Sequence, residues 1–303
     1  MKIKYLLYIL TLGIGFTACS EGNDLPGEER ISNEKVIVHI NLQQDLQINA
    51  ETRATDPMAL ENANKMYNLY ILHYNAEGAL ITGDTQYKVL ATEGELETSW
   101  SPRLTAGEGT ICLIANLGSG NSPKKWPLFL ADLKKTDILT LPIDNTGLFT
   151  DKMYMFGYYE GPITSSMSLS VLMGRMAACV NIVLTSEFTY SYTISTKINN
   201  AVASTHYFPM ENDDDKNGLT YVSFSDTNAG TVNKNSDLTL YYYMGENIAP
   251  DSGKRTNIEV TATWNYSSKK YTIELGADAP GTANRNYSIY RNNNYTFNIH
   301  LKN

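Results

Sequence analysis

The sequence predicts an all-β protein made of two β-sandwich domains, and three observations predict it. Apolar and polar residues alternate with a period of two over many short segments. Turn residues (Gly, Asn, Asp, Pro) separate those segments at close intervals. Helical rhythm is confined to Leu128–Leu139, where Leu128, Leu130, Leu133 and Ile138 recur, and to a turn-like stretch over 58–66. Many short strands almost without helices build sandwiches or barrels. Two sandwiches of roughly 110 and 140 residues have ordinary domain sizes.

The chain of 303 residues is 42% hydrophobic and 18% charged, with 21 tyrosines. That composition fills a core and suits β-rich extracellular proteins. The net charge of −8 argues against nucleic acid and anionic membrane surfaces as partners.

Residues 1–19 read as a lipoprotein signal. Lys2 and Lys4 form a basic start, and Tyr5 to Phe16 is an apolar run too short to span a bilayer. Phe16-Thr17-Ala18-Cys19 then resembles a lipobox, which makes Cys19 the candidate lipidated residue. A membrane contact is expected only through that lipid. The Gly-, Asn- and Pro-containing residues after it form a tether.

Val36, Val38, Ile40 and Leu42 share one phase of a strand, and Ile37, His39, Asn41 and Gln43 the other. This is the pattern of a half-buried strand. Glu51-Thr52-Arg53-Ala54-Thr55-Asp56-Pro57 follows as a polar loop. Cleavage by an Arg-specific protease between Arg53 and Ala54 would free the strand. Residues 20–53 are thus read as tether and cleavable first strand, 54–165 as one sandwich and 166–303 as the other.

In the first sandwich YNLYILHY alternates, Asn75 to Gly78 and Gly83-Asp84 supply turns, and Thr110 to Ala115 is a nearly continuous apolar strand. Met153 to Ile163 breaks the alternation with Gly157, Gly161 and Pro162, and the boundary is placed near 165. SLSVLMGRMAACVNIVLTS then forms one long strand region, followed by LTLYYYM, NIEVTATWNY, KKYTIEL and YTFNIHL.

No catalytic, cofactor or metal site is predicted. The histidines 39, 73, 206 and 300 are dispersed, and no HExxH, GxSxG, P-loop or dinucleotide pattern occurs. Asp213 to Gly218 begins like a calcium loop, but Phe224 stands where the bidentate Glu belongs, so a solvated hairpin loop is favoured. Cys112 and Cys179 lie in apolar strands and read as small buried hydrophobes, with one disulfide as the alternative.

Several segments together resemble the fimbrillin family, the type V pilins of Bacteroidales. They are Arg53-Ala54 after the first strand, ICLIAN, the strand with Leu172, Arg175, Ala178 and Val180, YYYMGEN ending in Glu246-Asn247, and Arg291-Asn292 with Tyr295. The resemblance covers about 35–303. It implies two transthyretin-like sandwiches, maturation at Arg53, and a donor strand accepted from another pilin subunit. It also implies an outer-membrane lipoprotein precursor that ends in a cell-surface fimbrium. The last strand, Tyr295 to Leu301, is followed only by Lys302 and Asn303. A subunit with little to donate is expected at the tip or another minor position, with an adhesive role toward a host or bacterial surface receptor. The alternative is an uncleaved surface lipoprotein that binds glycan or protein as a monomer.

Overall fold

The structure is a computed structural model. It describes residues 34–44, 65–89, 99–116, 140–142, 153–210, 219–248, 250–278 and 285–302. Cys19, Arg53, Ala54, the expected helix over 128–139 and the acidic loop at 213–218 lie outside the described residues.

The described chain is built of strands with two short 3₁₀ turns, an all-β architecture. The first strands are β1 (Lys35–Gln44), β2 (Asn68–Asn75), β3 (Gln86–Val89), β4 (Ser99–Trp100), β5 (Arg103–Thr105), β6 (Gly107–Ala115), β7 (Thr140–Pro142), β8 (Met155–Ile163) and β9 (Met167–Arg175). Then come β10 (Ala178–Ser186), β11 (Tyr192–Val202), β12 (Ser204–His206), β13 (Tyr221–Val232), β14 (Leu238–Met244), β15 (Asn257–Trp264), β16 (Ser267–Glu274), β17 (Ala277–Asp278), β18 (Arg285–Ser288) and β19 (Asn294–Leu301).

The first sheet follows the order β3-β2-β6-β8-β9-β1-β4, with β5 also on β1. It folds back on itself. β8 and β9 share only the Met155–Arg175 and Phe156–Gly174 pairs, so the sheet turns a corner there. The inner faces of β2, β6 and β8 then meet those of β9, β1 and β5 around Leu69, Ile71, Ile111, Leu113, Val171, Met173 and Leu104. Gly157 permits the corner, because a Cβ there would lie 2.4 Å from the Leu172 carbonyl oxygen. The glycines and proline over 153–163 therefore do not interrupt the chain; β8 runs through them as one strand.

YNLYILHY does not alternate in burial; Asn68 to Tyr74 are all buried. Its inner face joins the main core. Its outer face, Tyr70, Leu72 and Tyr74, packs in a second cluster with Cys112, Ile114, Phe156, Met176 and Tyr207. Both faces are covered, so the polar phase expected from period two is absent.

The long strand region over 168–186 is two strands in different sheets. β9 completes the first sheet, Met176 and Ala177 intervene, and β10 is the centre of the sheet β14-β10-β19. That sheet packs on β13-β11-β15-β16 around Val180, Ile182, Ile194, Val260 and Ile299, which forms a sandwich. β19 lies parallel to β10 over Asn294–Leu301. Cys112 and Cys179 are buried thiols, and the disulfide alternative is not formed.

Candidate functional site

The place of β1 is the candidate site. Val36, Val38, Ile40 and Leu42 are buried, at 5% exposure or less, while Ile37 is 46% exposed and His39, Asn41 and Gln43 face outward. β1 is an interior strand. On one side it runs parallel to β9, with Val38 opposite Met167 and Gln44 opposite Met173. On the other it pairs antiparallel with β5 and β4, with Val36 opposite Leu104 and Ile40 opposite Trp100. The Val38 amide donates to the Pro102 carbonyl at 3.0 Å, and the Ala106 amide to the Glu34 carbonyl at 2.8 Å. On the outer face His39 Nδ1 meets Ser101 Oγ at 2.8 Å, and Asn41 Nδ2 donates to Ser168 Oγ at 3.1 Å.

Burying four such apolar side chains contributes on the order of 6–12 kcal/mol before ordering costs. Taking β1 away would leave a slot between β9 and β5/β4, with apolar walls and two unpaired backbone ladders. Only a strand satisfies both requirements.

One end of the slot is charged, and the sequence pattern missed it. Asp84 looks like a turn residue after Gly83, yet it is fully buried. Its Oδ2 accepts from His73 Nδ1 at 2.6 Å and from the Thr105 amide at 2.6 Å, and its Oδ1 accepts from the Thr105 hydroxyl at 3.1 Å. The Lys35 ammonium of β1 pairs with Asp84 Oδ1 and donates to the Gly83 carbonyl at 3.3 Å. One carboxylate thus joins β1, β2 and β5.

His73 is held neutral. Burial first, and the Lys35 charge second, lower its pKa from 6.5 to about 4. Asp84, already paired with the ammonium, does not reverse this. The sign follows by linkage: unfolded His73 takes up its proton near pH 6.5 and folded His73 only near pH 4. The unfolded chain binds more protons in that window, so stability falls as pH drops through it. Loss of about 3 kcal/mol by pH 4 is expected from this residue. Chemical denaturation at pH 7 and pH 4.5, repeated on His73→Gln, checks it: the variant should lack this component.

The residues that carried the family resemblance converge elsewhere. Arg175 at the end of β9 donates through its amide (3.2 Å) and Nε (3.0 Å) to Asn292 Oδ1, and through Nη2 to the Asn292 carbonyl at 3.3 Å. Asn292 has φ 60, a left-handed conformation that Asn tolerates. Arg291 pairs with the buried Glu246, with Nε at 2.8 Å from Oε1. Its Nη1 donates to the Tyr207 carbonyl at 2.8 Å, and its Nη2 to the carbonyls of His206 (2.6 Å) and Phe208 (3.2 Å). A cavity of about 570 Å³ opens beside this network, lined in part by Tyr158, Leu172, Arg175 and Tyr290. Asn116 closes ICLIAN as a left-handed buried residue, donating to the carbonyls of Lys65 (2.8 Å) and Met153 (2.6 Å). These motif residues tie together segments far apart in the sequence.

No protein-family model matches the chain, and no curated protein matches it in sequence. Solved structures do. A tip fimbrial protein, Mfa3 from Porphyromonas gingivalis with a C-terminal truncation, superposes with a TM-score of 0.64 at 13% identity, covering 89% of this chain and 96% of that one. A candidate cell adhesion protein from Bacteroides eggerthii gives 0.57 at 16% identity, covering 92% and 88%. A candidate adhesin from Bacteroides thetaiotaomicron gives 0.54 at 12% identity, covering 88% and 91%. The chain has the fold of these fimbrial and adhesin-like proteins, in agreement with the fimbrillin resemblance read from its motifs.

Proposed function

We propose that the chain is a structural subunit of a type V fimbrium, of the tip or another minor type with an adhesive role, matured by removal of β1 and completed by a donor strand from another pilin. The observation that carries this reading is the position of β1. It is flanked on both sides, buried on one face, and followed by the segment that contains Arg53. A strand so placed is replaceable by another strand and by little else. The fold shared with a tip fimbrial protein supports the same reading. So does β19, which is paired with β10 in its own sheet and is not free to be donated. The two-domain division expected from the sequence, 54–165 and 166–303, belongs to this reading.

In this reading Cys19 carries the lipid of the outer-membrane precursor, and cleavage after Arg53 releases the subunit to the cell-surface fimbrium. Arg53→Ala is expected to leave a longer, lipidated species and to block incorporation. N-terminal sequencing of sheared surface material checks it: Ala54 as first residue supports maturation, and normal incorporation of Arg53→Ala overturns it. Cys19→Ala should abolish membrane partitioning of the precursor.

The second reading is an uncleaved surface lipoprotein that binds glycan or protein as a monomer. The cavity beside Arg175, with its exposed Tyr158 and Leu172, favours it. A lipidated Cys19 on the surface form would decide for it.

A further inference from the structure

The strand-exchange reading leaves open which strand can enter the slot, and Asp84 bears on that choice. Its carboxylate is fully buried under β1. Among the described residues its charged or titratable partners are Lys35 from β1 and His73 from β2. β5 contributes only the amide and hydroxyl of Thr105. The one cation facing Asp84 therefore belongs to the strand that maturation would remove. With that strand gone, a buried anion is left with neutral donors alone, which is costly in a protein interior.

We propose, resting on the strand-exchange reading, that the slot selects its occupant by charge as well as by shape. The occupant is a strand of another pilin subunit with a lysine or arginine at the register position of Lys35. Apolar residues follow at the positions of Val36, Val38, Ile40 and Leu42. The cation restores the pair with Asp84, and the alternating apolar residues refill the core. A strand with the apolar pattern but no cation fits the walls and leaves Asp84 uncompensated. The cation also fixes register. A slip by one residue would carry it away from Asp84 and turn the apolar face outward.

His73 supplies an internal check. Without a strand cation, His73, whose Nδ1 donates to Asp84 at 2.6 Å, can take up a second proton at Nε2 and compensate Asp84 as an imidazolium. The disadvantage of a cation-free strand should therefore shrink in acid, which mere packing would not produce.

The test uses the full chain carrying an introduced protease site directly after Arg53, cut with β1 left in place. Labelled peptides of residues 34–44 compete for the slot: the native sequence, Lys35→Arg and Lys35→Gln. The native and Arg peptides should exchange with similar affinity. The Gln peptide should bind about 10- to 100-fold more weakly at pH 7.5, the range for losing a charged hydrogen-bond partner. That gap should narrow at pH 5. In an Asp84→Asn chain the native and Gln peptides should bind alike; if that variant does not fold, the peptide comparison on the unmodified slot stands alone. Equal binding of the native and Gln peptides to the unmodified slot overturns the charge requirement and leaves strand exchange intact. Failure of the native peptide to exchange at all overturns strand exchange itself.

Discussion

Ile40→Asp is expected to abolish the docking of β1. Ile40 is 1% exposed, opposite Trp100 on one side and Leu169 on the other. Removing the aliphatic side chain costs about 2–5 kcal/mol. A carboxylate placed in this apolar core would be buried, which costs several kcal/mol more. The sum rivals the whole stability of an ordinary domain, about 5–15 kcal/mol. The control is one face away. Ile37 is 46% exposed, so Ile37→Asp should stay within about 0.5 kcal/mol of the parent. Urea denaturation and limited proteolysis of the two variants separate the faces. Equal stability of Ile40→Asp and parent would refute the burial of this face.

Arg291→Ala should be the most damaging substitution outside β1. It strands Glu246, which is 2% exposed, and withdraws the donor from the carbonyls of His206, Tyr207 and Phe208. Breaking a buried pair from one side costs about 3–5 kcal/mol. Arg291→Lys keeps the charge but not the planar fork that reaches Glu246 and the carbonyls together, so it should recover only part of the loss. Denaturant midpoints of both variants, with Glu246→Gln paired to Arg291→Ala, measure the coupling. Additive losses would mean that the two side chains do not act together.

The strand that matters most was legible because its environment is simple. β1 has one buried and one exposed face, and that asymmetry is written as period two in Val36, Val38, Ile40 and Leu42. β2 instead holds the continuous apolar run Leu69-Tyr70-Ile71-Leu72, and both its faces are buried; what covers the outer one is a second apolar cluster built from residues far along the chain, such as Met176 and Tyr207. Local pattern does not record such distant cover. The break at Met176–Ala177 was hidden for a related reason: β9 buries one face and β10 nearly all of its residues, but Leu172 is apolar although exposed, so Val171-Leu172-Met173 and Ala178-Cys179-Val180 read as one strand region although the sheet changes. Asp84 does lie in a turn, the 3₁₀ turn Thr82–Asp84, but its burial was not legible. An aspartate after glycine between strands has the composition of a solvated turn, and only the approach of Lys35, His73 and Thr105 makes it a buried anion. The roles of Arg175, Glu246, Arg291 and Asn292 were legible only as family resemblance, since their partners lie far away in sequence.

The parallel pairing of β1 with β9 also sets an order of events during synthesis. Val38 lies opposite Met167, 129 positions later, and Val36 opposite Leu104, 68 positions later. Both flanking partners emerge long after β1 has left the ribosome. Contacts this distant close late and slowly. For that interval β1 is an alternating apolar segment with nothing to pair with, the kind of segment that seeks any open strand edge. The polar His39, Asn41 and Gln43 in its other phase and Lys35 at its start thus guard the nascent chain against self-association before they take up their places in the folded one.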